Sequence, residues 1–347
     1  MQDTKETLKY IAQRLLLMIF TFIIIFVICF ILIRLLPIDR ATGAGQDPET
    51  YYKMQVALGR MYKTSSGEYV KTPILSQLGT FIVNLFHPST YVASDGTLVA
   101  TSRWGYSWQI AWLTSPATLL AQGLPPTILI NIYSMLISIP LGLLIGIYMA
   151  LKKNKWQDYT LSVVIMLFIS VPSFVYAFLL QYLFAFKWGL LPAVRVDYNG
   201  SWFTGEMFAS MVLPVIAMSF GSIAGFARYT RAELTEVLTS DFMLLARTKG
   251  LSRTQATVRH AFRNSLVPIF PMILGEILSV LSGSVIIENI FSVNGVGSLF
   301  LSSIQMKDYD VFQFVGMFYI LIGLVGTLVV DISYGLVDPR IRMGGRK

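Results

Sequence analysis

Side chains able to do chemistry are few in this chain, and several sit inside apolar runs. Glu276 falls about midway along one run, Glu288 at that run's far end, and Asp331 near the end of the last run. A carboxylate at membrane depth is costly, so each is by default a candidate for a polar pathway. Ser282 and Ser284 lie on the same run as the two glutamates, with no histidine or lysine partner evident, and read as formers of interhelical hydrogen bonds. His87 and His260 are the only histidines, and neither has a second ligand at metal-binding spacing. His260 lies between Arg259 and Arg263, in a strongly basic stretch. The one cysteine, Cys29, lies within an apolar run, which leaves no intrachain disulfide or thiol cluster. The patterns GxxxxGK[ST], HExxH and GxSxG do not occur, so no phosphate loop, zinc hydrolase or serine nucleophile is written here.

The elements that must position these groups are membrane helices. The chain has 347 residues, 54% hydrophobic and 13% charged, against about a quarter charged in a soluble domain. Apolar windows of the length a bilayer requires predict spans near 11–36, 127–151, 159–186, 207–228, 267–288 and 311–335. The first is too long for a cleaved signal and has no small-residue cleavage site after it, so it is expected to be retained. Lys5, Lys9, Arg14, Lys152, Lys153, Lys155, Arg340, Arg342, Arg346 and Lys347 flank one side, whereas the short loops on the other hold only Lys187, Arg195 and Lys307. That bias predicts both termini in the cytoplasm. Gly142 and Gly146, and again Gly221 and Gly225, have the spacing that lets helix backbones approach closely. Pro140 and Pro172 are expected to bend their helices.

Between the first two spans lies a long segment, 37–126, with both charge signs evenly mixed. A short helix is predicted within 45–64, an amphipathic one over 74–87, and a hairpin where the turn signal SDG separates TYVA from TLVAT. Trp104, Tyr106, Trp108 and Trp112 read as an aromatic belt at the outer interface. The segment is expected to be extracytoplasmic, either a cap or a contact surface for a partner.

The stretch from Arg228 to Pro268 carries seven Lys or Arg and three acids, and would lie on the cytoplasmic side. Thr239, Ser240 and Asp241 offer an N-cap before FMLLART. Gly250 stands where a left-handed C-cap belongs, with Arg247 and Lys249 in the last turn. Ser252 to Gln255 reads as a capping box that starts the next helix. The result is helix, glycine corner, helix, with Phe242, Leu245, Ala246 and Leu251 as an apolar knob. Pro268 is placed in the first turn of the following span, where its missing N–H costs nothing. A compact basic elbow predicts docking by another protein; an amphipathic helix lying on anionic lipid is the alternative, and would need no glycine corner.

The stretch SDFMLLARTKGLSRTQATVRHAFRNSLVPI resembles the cytoplasmic loop of ABC importer permeases, in particular the B-type permeases of oligopeptide and dipeptide uptake. The resemblance continues through SGSVIIENIFSVNGVGSLFLSSIQMKDYDVFQ to VDISYGLVDPRIR, covering roughly Leu124 to Arg342. It implies an all-α membrane protein with six transmembrane helices in the type I ABC importer permease (MetI-like) fold. Its parts would be an N-terminus and first helix (1–36), an extracytoplasmic segment of mixed structure (37–126), a permease core (127–338) with coupling loop 229–266, and a cytoplasmic tail (339–347). The coupling helix of that family rests in a cleft of an ATPase subunit. Carried onto this chain, the contacts would be Asp241, Phe242, Leu245, Ala246, Arg247, Lys249, Gly250 and Leu251. Glu276, Ser282, Glu288 and Asn294 would belong to the pathway or its gate, and Asp331 would be an interface anchor. Leu244 and Leu245 stand where the general motif has Glu and Ala, and Asn294 where the oligopeptide family usually has proline. The resemblance implies no cofactor and no enzymatic activity in this chain, with ATP and Mg bound by partners. Those partners would be a second permease, two ATPase subunits, an extracytoplasmic peptide-binding protein, the peptide and membrane lipid, without nucleic acid. Nickel, haem or a signalling peptide are alternative cargoes. An ATPase-independent secondary transporter would show inverted repeats, which the sequence lacks.

Overall fold

The computed structural model describes residues 2–37, 48–92, 98–194 and 204–337. In chain order the elements are α1 (Gln2–Leu35), α2 (Pro48–Ala57), β1 (Met61–Lys63), β2 (Tyr69–Lys71), α3 (Ile74–Phe86), β3 (Thr90–Val92) and β4 (Leu98–Ala100). There follow α4 (Pro116–Leu151), α5 (Trp156–Ser170), α6 (Ser173–Leu180) with a π-helical extension Gln181–Lys187, and α7 (Gly205–Leu238). The remainder is α8 (Asp241–Thr248), α9 (Arg253–Ala256), a π turn Thr257–Ala261, α10 (Phe262–Ser279), α11 (Val285–Ile290), α12 (Val296–Gln305) and α13 (Tyr309–Val337). Among the described residues, five helices are long and apolar enough to cross a membrane, or six if the bent pair α5–α6 counts as one.

Local chemistry sets several of these boundaries. The α5–α6 pair is bent by 98°. Val171 is extended ahead of Pro172, as the residue before a proline prefers to be, and the helix restarts at Ser173. Pro140, by contrast, does not interrupt α4. The Thr204 hydroxyl caps α7 by accepting from the Met207 N–H at 3.2 Å. The helix predicted within 45–64 stops at Ala57 because Gly59 adopts φ +70°, and a strand follows.

The fifth span differs from its prediction over 267–288. Its helix rises directly out of the basic segment and ends at Ser279. Gly283 at φ +63° turns the chain, and the Ser284 hydroxyl then caps α11 by accepting from the Ile287 N–H. Pro268 consequently lies inside α10 together with Pro271, not in a first turn.

Two compact units result. One comprises Met1–Leu15, Pro126–Gly297 and Val325–Lys347. Its core gathers Ile130, Ala177, Met207, Leu213, Ile287 and Phe291. Here α4 lies against α7 through Gly142 and Gly146. A methyl on Gly142 would meet the Phe226 Cβ, and one on Gly146 the Ala227 carbonyl at 2.6 Å. Gly225 faces open space, so the second glycine pair has no comparable contact. Arg14 of α1 pairs with Asp331 of α13 at 3.2 Å.

The other unit comprises Leu16–Pro125 and Ser298–Leu324. β1 pairs antiparallel with β2, and β3 with β4 in the register Thr90↔Ala100, Tyr91↔Val99 and Val92↔Leu98. The second hairpin is the one predicted; its SDG turn lies outside the described residues. The expected aromatic belt is instead interior. Tyr106 and Trp108 are buried against Tyr51 and Met54, and Trp104 packs on Phe26, Phe81 and Phe314. The same ring types suit an interface or a core, and here Asp308 pulls their loop inward. Its Oδ2 accepts from the Ser107 hydroxyl at 2.6 Å and from the N–H groups of Trp108, Gln109 and Ile110 at 3.0–3.1 Å.

Candidate functional site

The basic segment forms a short elbow. Ser240 has the extended backbone of an N-cap, although its hydroxyl donates back to the Val237 carbonyl instead of capping α8. Gly250 takes φ +91°, a conformation that favours glycine and ends the helix. The capping box then closes: the Gln255 side chain accepts from the Ser252 N–H at 3.2 Å, and the Ser252 hydroxyl from the Gln255 N–H at 3.3 Å. The underside of α8 is anchored, with Met243 and Ala246 buried against Ala150, Leu234, Ala256 and Ala261. Its other face carries exposed Phe242, Leu244 and Leu245, flanked by exposed Asp241, Arg247 and Lys249.

The expected contact residues do not all face outward. Ala246 is turned into the chain's own core, and Leu251 is partly buried against the same cluster. Leu244, 64% exposed, takes the outward place. Helical geometry explains the exchange, because Met243 and Ala246 stand three residues apart on one face.

The elbow is tied to the rest of its unit by a buried carboxylate. Asp158, in the first turn of α5, accepts from Arg231 Nε at 2.5 Å and from Arg231 Nη2 at 2.8 Å. It also accepts from the Asn154 N–H at 3.1 Å. Asn154 has φ +62° and turns the Lys152–Lys155 connection. Arg231 lies on the last turns of α7, the helix that leads into α8. A bidentate pair with one fully buried partner is both strong and directional.

A second feature is a polar cavity of about 220 Å³ in the same unit. Asn131 and Ser134 reach it from α4, Ser222 from α7, Glu276 from α10 and Ser282 from the turn after it. The Ser222 hydroxyl donates to Glu276 Oε1 at 2.8 Å. The cavity thus holds a half-buried carboxylate among serine hydroxyls, the Asn131 amide and the apolar Met135, Met218 and Val280, and its carboxylate can accept from an ammonium or from amide N–H donors.

Of the four predicted pathway residues, Glu276 and Ser282 come together here. Glu288 does not line this cavity. It is 2% exposed, its Oε1 accepts from the Thr127 hydroxyl at 2.9 Å, and the same hydroxyl accepts from the Val296 N–H at 2.8 Å. Gly295 and Gly297 pass within a methyl's reach of its carboxyl group. Glu288 therefore fastens the turn between α11 and α12 within the protein interior. Asn294 lies exposed on that turn.

Sequence reasoning missed Asp158, Arg231, Asp308 and Asp310 as organising groups. The clue available was their type: each acid stands at a helix start or just before one, where a carboxylate is favoured. Among the described residues no cluster of three or more metal-ligating side chains occurs.

Residues 142–343 match the family model described as "Binding-protein-dependent transport system inner membrane component". The dipeptide transport system permease protein DppB of Bacillus subtilis is 31% identical over 96% of this chain and 98% of its own length. DppB of Lactococcus lactis is 32% identical over 96% and 99%. The glutathione transport system permease protein GsiC of Escherichia coli K12 is 30% identical over 96% and 99%. A solved amino acid ABC transporter superposes with a TM-score of 0.47 at 17% identity, covering 63% of this chain and 94% of the other. With the family model spanning more than half the chain and relatives spanning nearly all of it, this multi-pass membrane protein belongs to the inner membrane components of binding-protein-dependent transport systems, as a transport subunit and not an enzyme.

Proposed function

We propose that this chain is the transmembrane permease subunit of an ATP-driven peptide importer, forming half of the pathway and receiving motion from ATPase subunits through α8. The observation that carries the reading is the two-faced elbow: Met243 and Ala246 fix it to the body, while Phe242, Leu244 and Leu245 present an apolar surface fringed by Arg247 and Lys249. A rigid body of this kind transmits displacement without deforming. The Arg231–Asp158 pair extends that rigidity from α7 to α5.

Both termini, the elbow and the Lys152–Lys155 connection belong on the cytoplasmic side in this reading, and 37–126 on the other. Two contacts support it. Ala150, just before Lys152, packs with the elbow, and Arg14 near the start of α1 meets Asp331 near the end of α13. Peptide as cargo follows the names of the dipeptide and glutathione relatives and agrees with the lining around Glu276. Partners are a second permease, two ATPase subunits holding ATP and Mg, and a peptide-binding protein outside. A cysteine placed at Leu244 in a Cys29→Ser background tests the docking. It cross-links to the ATPase if α8 seats there, and stays unlinked in the assembled complex if it does not.

A further inference from the structure

Among the described residues, a buried cluster away from both sites holds two guanidiniums, Arg34 and Arg60, against one carboxylate, Asp310. Arg60 grips Asp310, with Nη1 to Oδ2 at 2.8 Å and Nη2 to Oδ1 at 2.8 Å. The Tyr106 N–H also donates to Oδ2, at 3.2 Å. Arg34 reaches the same carboxylate only at 3.7 Å, and its guanidinium stacks over the Phe30 ring. The side chains of Arg34, Arg60 and Asp310 are 4%, 7% and 2% exposed. Arg34 Nε and Nη2 are buried without a hydrogen-bond acceptor among the described residues. Burial pushes the Tyr51 phenol up to about 12, so it adds no negative charge.

Beside these groups lies a cavity of about 30 Å³, which exceeds the ~10–15 Å³ needed by one water-sized occupant and is far too small for a peptide. Arg34, Arg60 and Gln55 line it, and exposed Lys307 stands at its edge. A buried charge that shares its one counter-ion with a second cation is unfavourable, and a guanidinium edge presents its N–H donors to an anion in a fixed fork.

We propose that Arg34, Arg60 and the cavity beside them bind a small inorganic monoanion, chloride in a biological medium, which sits against the guanidinium groups and neutralises the cluster. The site joins the end of α1 to α2 and to the start of α13, so occupancy would brace this unit.

The experiment uses the full-length chain in nanodiscs, unfolded thermally in sodium chloride, bromide, acetate or gluconate at matched ionic strength. Chloride and bromide raise the midpoint by a few degrees over gluconate, increasing with the logarithm of halide concentration. Arg34→Gln abolishes that increment, and Arg103→Gln, at an exposed position, keeps it. Should Arg34→Gln fail to fold, bromide anomalous scattering from the unaltered protein decides, with a peak expected beside Arg34. Equal midpoints in halide and gluconate, retention of the increment in Arg34→Gln, or no bromide peak would overturn the proposal. A shift with acetate and none with chloride overturns it in favour of a carboxylate ligand.

Discussion

Arg231 and Asp158 form a two-pronged ion pair, at 2.5 and 2.8 Å, between the last turns of one helix and the first turn of another. Asp158 is buried and the Arg231 side chain is 32% exposed, so loss of the acid leaves a cation that can still find water. Asp158→Asn is expected to lower stability by about 1–3 kcal/mol, and adding Arg231→Gln to cost less than the sum of the two changes. A double-mutant cycle on thermal unfolding of the purified chain measures this. Additive effects would show that the two residues do not act as a pair.

The elbow separates surface from support. Phe242→Asp and Leu244→Asp alter exposed positions, so the purified chain should unfold within about 0.5 kcal/mol of the parent while co-purification with the ATPase falls sharply. Ala246→Asp buries a charge in the chain's own core and should destabilise the permease itself. Gly250→Pro cannot adopt φ +91°, and assembly should be lost although the spans insert. Equal behaviour of Leu244→Asp and Ala246→Asp would contradict the assigned faces.

The glycines of the membrane helices make a sharper contrast. Gly146→Val forces a side chain onto the α7 backbone at Ala227 and is expected to cost about 1–3 kcal/mol or more. Gly225→Ala enters open space and should leave the isolated chain unaffected. Thermal unfolding of the two variants checks both.

What was legible in the sequence was mostly local. The Ser252–Gln255 capping box and the Gly250 corner each lie within a few residues, so spacing alone specifies them. Asp308 and Asp310 were not legible, because their partners stand about 200 to 250 residues away. Trp108 was misread as an interface residue since burial of a ring depends on what folds over it. The span over 267–288 was misplaced for a related reason: hydropathy continues past Ser279, and only the φ of Gly283 reveals that the helix does not.

Glu276 is the cavity group with a formal charge. Glu276→Gln preserves shape and the Ser222 hydrogen bond while removing that charge. It is expected to reduce uptake of peptides with a free N-terminal amine by about tenfold, the equivalent of one modest charged contact. N-acetylated peptides should be spared. Equal loss for both peptide classes would assign Glu276 a structural role.

The most direct measurement is uptake of labelled dipeptide into vesicles holding the complete reconstituted complex, with and without ATP, for the parent and for Leu244→Asp. The account predicts ATP-dependent accumulation by the parent and none by the variant, although both permeases are inserted in equal amounts. Accumulation without ATP, or undiminished uptake by Leu244→Asp, would contradict it.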